Sequence, residues 1–482
     1  MLFNSVEFLL FFPLVIFGYF ALPQRFRRYF LLAASLYFYM SFIPKYILIL
    51  LFTTCVDFFG ALGVEKARTA ARKRLSKAVF LLAVCANVGL LVYFKYLGLL
   101  EDTINFFGHM LDMRTVVLPD VVLPIGISFH TFQSMGYLID VYTGREKAEH
   151  SFIDFSLFLM YFPQLVAGPI ERSRNLFDQL KAHHVLQYEN LSVGGRWMLW
   201  GMFKKVVVAD NLAMFADAVF GDVHAYSGFG LIAGILCFTV QIYCDFSGYS
   251  DIAIGAARVM DIRLMQNFDT PYFSRSIPEF WRRWHISLST WFRDYVYIPL
   301  GGNRVSKPRW CFNQLVTFAI SGIWHGASFT FVVWGLLNGV YIVLSRFTRG
   351  IREKIKHLLR LDRIAWISAG VSIAITFVLT ALSWVFFRAN TFSDAFYVLS
   401  HLTAKTVYDF PHIAAFRGYI ACAAPLLLFG VEIFTKIPGI PAWFTANTKK
   451  RCALRLVSYG ILVAIIVIFG AYDNKSFIYF QF

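Results

Sequence analysis

Charge is scarce in this chain. Of its 482 residues only 15% are Asp, Glu, Lys or Arg, and acids (29) are fewer than bases (45). A soluble domain carries about 25% charged residues, and a soluble chain of this length ordinarily divides into several domains. Familiar catalytic signatures are missing as well. The sequence holds no GxSxG elbow, no phosphate-cradling GKS/T loop and no HExxH pair, which speaks against serine-hydrolase, P-loop and zinc-protease chemistry. Its cysteines (Cys55, Cys85, Cys237, Cys244, Cys311, Cys422 and Cys452) form no CxxC pair, and most lie in apolar runs. They read as core packing; neither a metal site nor a disulfide framework is expected. The chain also lacks a discernible internal repeat and a low-complexity linker.

What fills the sequence is apolar. Hydrophobic residues make up 58% and aromatics 18%, with a mean hydropathy of +0.59. Such a composition predicts an all-α, polytopic integral membrane protein. At roughly 20 residues per crossing, the apolar runs amount to about eleven transmembrane helices, with re-entrant and interfacial amphipathic segments besides. We expect one membrane domain over 1–482. The net charge of +16 does not require a nucleic-acid partner. The bases sit in short loops between apolar runs, as the positive-inside bias dictates, and membrane lipids are the expected surroundings. The amino-terminal MLFNSVEF has Glu7, no base before its apolar run and no small-x-small cleavage site. It reads as a retained first span and not a signal peptide.

Loop charge sets the expected orientation. Arg25, Arg27 and Arg28, the loop at 65–77 with six bases, the loop at 346–363 with seven, and Lys449, Lys450, Arg451 and Arg455 mark cytoplasmic segments. Alternation then places both termini and the acid-rich 100–120 outside. The apolar stretch 121–143 is interrupted by Pro124 and Gly126 and reads as discontinuous or re-entrant, which a bilayer tolerates only where protein buries it. The depth of 193–220, with Lys204 and Lys205 in its middle, stays open.

The most informative stretch runs from Ser276 to Gly339, within a core region at 245–340. Ser276 and Glu279 have capping-box spacing, with Pro278 in the first turn. Trp281, Trp284, Leu288, Trp291 and Tyr295 then recur at helical spacing, while Arg282, Arg283 and Arg293 fall on other faces. This predicts one amphipathic helix lying at the lipid–water interface. The following apolar run carries His325, a functional-site candidate because of its setting, flanked by Gly322 and Gly326 at small-xxx-small spacing. Neutral imidazole is suited to taking a hydroxyl proton near pH 7; the plainer role is a hydrogen bond between helices. His285 anchors the amphipathic helix or orients a substrate. Asp245 and Asp251 flank FSGYS. They orient His325 or line a tunnel, or else pair with Arg258 or Arg263.

FWRRWHIS (280–287), YIPLGGNR (297–304) and WHG (324–326), together with DFSGYSDIAIG (245–255), NFDTPYFSRSIPEFW (267–281), LPIGISF (123–129) and PQLVAGPIER (163–172), resemble the membrane-bound O-acyltransferase (MBOAT) family. The branch they look most like is the bacterial one that includes the alginate O-acetylation membrane subunit. The resemblance covers most of the chain. It implies acyl transfer, most simply of acetyl, to a hydroxyl of an exported or cell-envelope polysaccharide. It also implies acetyl-coenzyme A as donor substrate with no tightly bound cofactor, extracytoplasmic acetyltransferase partner proteins, and a bacterial inner-membrane location. His325 matches the family histidine. Trp281, Arg282, Trp324, His285, Asp245 and Asp251 fall in matched motifs as supporting or tunnel-lining residues. Arg282, Arg283 and Arg293 suit either the phosphates of the donor or anionic lipid headgroups. In the outward tail at 473–482, FIYFQF resembles an aromatic carboxy-terminal motif of related systems whose tyrosine holds the acyl group, which marks Tyr479 as an acyl relay; the plainer role is an interfacial anchor.

Overall fold

The computed structural model describes residues 1–111, 113, 115–119, 121–360, 364–405, 415–439, 448–472 and 477–478. Helices and the turns between them make up the described residues, without a strand. Seven helices are long and apolar enough to cross a membrane, among them Lys73–Lys95, Phe229–Val259, Phe329–Phe347 and Ala365–Arg388. Val6–Ala21 is apolar as well but shorter.

In chain order the helices are α1 (Val6–Ala21), α2 (Gln24–Met40), α3 (Ile47–Thr69), α4 (Lys73–Lys95), α5 (Leu97–Met110), α6 (Ile127–Thr143), α7 (Phe152–Met160), α8 (Phe162–Leu165), α9 (Ser173–Lys181), α10 (Tyr188–Met202), α11 (Asp210–Gly221) and α12 (Phe229–Val259). There follow α13 (Ile277–Arg283), α14 (Ile286–Phe292), α15 (Lys307–His325), α16 (Phe329–Phe347), α17 (Arg349–Leu358), α18 (Ala365–Arg388), α19 (Phe392–Ser400), α20 (Ala415–Lys436) and α21 (Lys449–Phe469). The longest, α12, has 31 residues and is the spine: nearly every residue from Phe238 to Ala257 is buried. Beside it, Phe203–Ala209 continues α10 as a π-helical turn whose seven residues are all buried. That settles the depth of Lys204 and Lys205, which lie inside the protein.

The expected discontinuities are present. Residues 121–126 are non-helical and α6 starts only after Gly126, whose φ is 76°. A Cβ at Gly126 would stand 2.6 Å from the Leu165 carbonyl oxygen, so this bend needs glycine twice over.

The segment expected as a single amphipathic helix is not one. It breaks after α13, where His285 adopts a left-handed conformation (φ 43°). The break is held from outside the helix. Asn267 accepts from the Ile286 N–H (2.9 Å) through its carbonyl and from the Ser287 hydroxyl (2.6 Å) through its side chain, while the Asp269 N–H donates to the Arg283 carbonyl (3.0 Å). Backbone groups freed by the kink are thereby satisfied. The aromatic face is also turned into the protein and not toward lipid: Trp284, Leu288 and Trp291 are buried. Helical spacing cannot distinguish a core from a lipid interface, because both select an apolar stripe.

Candidate functional site

The site is built on the hairpin of α15 and α16. A Cβ on Gly322 would lie 2.2 Å from the Phe331 carbonyl oxygen, and one on Gly335 would lie 2.2 Å from that of Phe318. The two backbones therefore touch, as small residues between membrane helices allow. Gly326 is extended and ends α15 at His325, and the Ser328 side chain caps α16 by accepting from the Thr330 N–H at 3.3 Å. His325 is thus the last residue of its helix, at the tight end of the hairpin.

A helix end leaves carbonyls without intrahelical partners. Here they are taken up by the end of α4. Lys95 Nζ donates to the carbonyls of Trp324 (2.7 Å) and His325 (2.9 Å), and the Tyr96 hydroxyl donates to that of Ile323 (2.7 Å). A cation at a helix C-terminus also meets the negative end of the helix dipole. The imidazole of His325 is buried among Trp324, Trp334 and Phe387, at ring-centroid distances of 4.9, 5.0 and 5.4 Å.

His285 is brought close by the kink. Its ring stands 6.2 Å from Trp324, on which His325 also packs, and 4.6 Å from Phe246. Both of its ring nitrogens are buried with no hydrogen-bond partner among the described residues, and the same holds for the indole nitrogens of Trp281, Trp324 and Trp334. Buried polar atoms are rarely left so. Trp324 and Trp334 both pack on the His325 ring, so two of these unpaired donors lie beside it.

Two cavities flank this centre. One, of about 40 Å³, is lined by Lys95, Trp324, His325, the bend from Leu123 to Phe129, and Val166. The other, of about 260 Å³, is lined by Trp281, Arg282, Ser289, Arg293 and the α15 face from Gln314 to Ser321. Trp281, which lines the second cavity, packs on Trp334 with centroids 5.8 Å apart, and Trp334 packs on His325. Two of the three arginines singled out by the sequence line that second cavity. The third, Arg283, pairs with Glu279 at 2.6 Å. Arg293 Nε is 2.8 Å from Asp294.

Residues 145–387, which include both histidines, match the model of the membrane-bound O-acyltransferase family. The probable alginate O-acetylase AlgI of Pseudomonas aeruginosa is 39% identical over 82% of this chain and 73% of its own length. The protein of the same description from Pseudomonas putida is 35% identical over the whole of both chains. A peptidoglycan O-acetyltransferase of Helicobacter pylori is 35% identical over 86% of this chain and 82% of its own. The chain belongs to the membrane-bound O-acyltransferase family.

In this multi-pass O-acyltransferase Asp245 and Asp251 sit in a second buried cluster. Asp251 pairs with Lys204, which also donates to Ser247 Oγ at 3.1 Å, and Lys205 lies 2.6 Å from Asp245 and 2.8 Å from Asp210. The partner cations are thus the π-helical lysines, and not the Arg258 or Arg263 that sequence proximity suggested. The second oxygen of Asp245 accepts from the Ile478 N–H at 2.7 Å. Phe477 and Ile478 are buried, with the Phe477 ring 4.9 Å from Tyr249 and 5.7 Å from Phe246, the ring that also touches His285. Phe477 and Ile478 of the acyltransferase therefore pack on its spine. Tyr479 lies outside the described residues.

Sequence reading missed Lys95 and the seat of the tail. Lys95 closes an apolar run and passes for an ordinary interfacial anchor. Its value comes from carbonyls 229 and 230 residues away, and no local pattern signals them.

Proposed function

We propose that this acyltransferase moves an acetyl group from acetyl-coenzyme A on the cytoplasmic side to hydroxyls of an exported polysaccharide such as alginate. The observation that carries the reading is the buried His325 at the end of the α15–α16 hairpin, in a chain of an O-acyltransferase family with alginate O-acetylases among its relatives. The attacking hydroxyl oxygen bonds to the thioester carbonyl carbon while neutral His325 takes its proton. The intermediate collapses, the C–S bond breaks, and the thiolate recovers the proton from the imidazole. His285 orients the reacting groups across Trp324.

The loop charges support a bacterial inner-membrane orientation with 65–77 and 346–363 in the cytoplasm. In that frame the arginine-lined cavity lies nearer the cytoplasmic end of α15 and receives the donor. The small cavity by Lys95 lies toward the outside. The group passes between them, and extracytoplasmic acetyltransferase partner proteins complete its transfer. Tyr479 is the outward relay: a phenyl ester is more activated than an alkyl ester, so onward transfer to a sugar runs downhill, while its formation from a thioester is nearly balanced. The burial of Phe477 and Ile478 supports a tail folded back toward the site. Tyr479→Phe keeps the aromatic anchor and removes the nucleophile; polymer acylation is expected to be lost, and full acylation would reduce the tail to an anchor.

A second acceptor, peptidoglycan, is favoured by the similarity to the H. pylori enzyme. The test is isotope transfer from labelled acetyl-coenzyme A. Label is expected as an ester on alginate or a like polymer. Label in peptidoglycan would select the second acceptor, and no label in protein or polymer would leave only a transporter.

A further inference from the structure

We propose that Lys95 is a catalytic cation of this site, binding the oxyanion that forms when the thioester carbonyl is attacked. The inference rests on the acyl-transfer reading of His325. Its own observations are geometric. An ammonium has three N–H donors. Two are spent on the carbonyls of Trp324 and His325, at 2.7 and 2.9 Å, and the side chain lines the same small cavity as His325. The third donor is left for that cavity.

A cation at the end of an apolar helix is costly unless it serves a partner or a wet cavity. Lys95 has no carboxylate within ion-pair distance among the described residues; what holds it are two backbone carbonyls and the Trp324 ring, 5.9 Å from Nζ. None of these carries a countercharge, so the ammonium form is held only weakly until a negative charge develops in the cavity. The one species on the path that gains a full negative charge supplies it. As the acceptor oxygen attacks, the carbonyl π pair moves onto oxygen and His325 takes the acceptor's proton. Lys95 donates a hydrogen bond to that oxygen without giving up its proton. The pair then returns to re-form the carbonyl, the C–S bond breaks, and the thiolate takes the proton from His325. A donor fixed before the reaction stabilises such an intermediate far better than mobile water.

The competing role is purely structural, with Lys95 only capping α15. Three variants in inverted membrane vesicles, assayed with radiolabelled acetyl-coenzyme A, separate the two. Lys95→Met is expected to lower kcat about a hundredfold, the scale of losing one oxyanion donor, with KM changed less than about threefold. Lys95→Arg, which keeps charge and donors, is expected to recover at least a tenth of wild-type kcat. Rates are taken per mole of the protein that detergent extracts from the same vesicles in monodisperse form, so a loss through misfolding alone leaves kcat unchanged. Wild-type kcat in Lys95→Met, or equal loss in Lys95→Arg and Lys95→Met, overturns the proposal. His325→Ala is run alongside: if it turns over normally, the acyl-transfer reading of His325 fails, whatever Lys95 does; if it is dead while Lys95→Met is normal, only the cation proposal falls.

Discussion

At the scale of single residues, His325 and His285 differ in how much the chemistry asks of them. Removing a general base costs typically 10²–10⁴-fold in rate. His325→Ala should lose polymer acylation by about that factor while the protein accumulates normally, as judged by acyl content against membrane abundance. His285→Ala should lose less, since its ring is reached through Trp324. Equal loss at normal abundance would make the two histidines partners of equal rank. His325 was legible in the sequence because an imidazole inside an apolar run needs a reason. The unsatisfied nitrogens of His285 were not, since the kink that buries them is made by Asn267, 18 residues upstream. Arg282 was marked as supporting or tunnel-lining only by the resemblance, since an arginine beside an aromatic stripe suits a lipid surface equally; it lines the second cavity.

At the scale of elements, close backbone contact between α15 and α16 sets the position of His325. Gly335→Ala places a methyl group 2.2 Å from the Phe318 carbonyl oxygen. Overpacking of this kind costs about 1–3 kcal/mol; a lower thermal midpoint with reduced activity is expected, and an unchanged midpoint would show that the hairpin has slack. Gly322 and Gly326 announced this packing by their spacing. The amphipathic helix was mistaken in its continuity and in the side its aromatic face takes, because an apolar stripe is the same whether lipid or protein covers it. The clasp of the tail belongs to this scale too. Asp245 joins α12, the π-helical Lys205 and the Ile478 N–H. Asp245→Asn keeps the size but weakens the pairing with Lys205, and should leave the tail more open to carboxypeptidase digestion in outside-out cells. An equally protected tail would mean that Phe477 and Ile478 are held by apolar packing alone.

At the scale of the molecule, orientation decides what the site can do. In the proposed orientation, read from loop charge, 65–77 and 346–363 face the cytoplasm and 101–120 and the tail face outward. In a cysteine-free background, a cysteine at position 70 should resist an impermeant thiol reagent in intact cells and react in inverted vesicles. Labelling from outside would reverse the molecule. The central proposal is that, in this orientation, the cavity at His325 and the cavity beyond Trp281 serve as acceptor side and donor side. Its most direct test is a sided assay: sealed inverted vesicles carrying the protein, with labelled acetyl-coenzyme A supplied only to the exposed cytoplasmic face and the acceptor polymer enclosed within. The account predicts label esterified to the enclosed polymer with the wild-type protein and none with His325→Ala. Labelled polymer at wild-type levels in His325→Ala vesicles would contradict it.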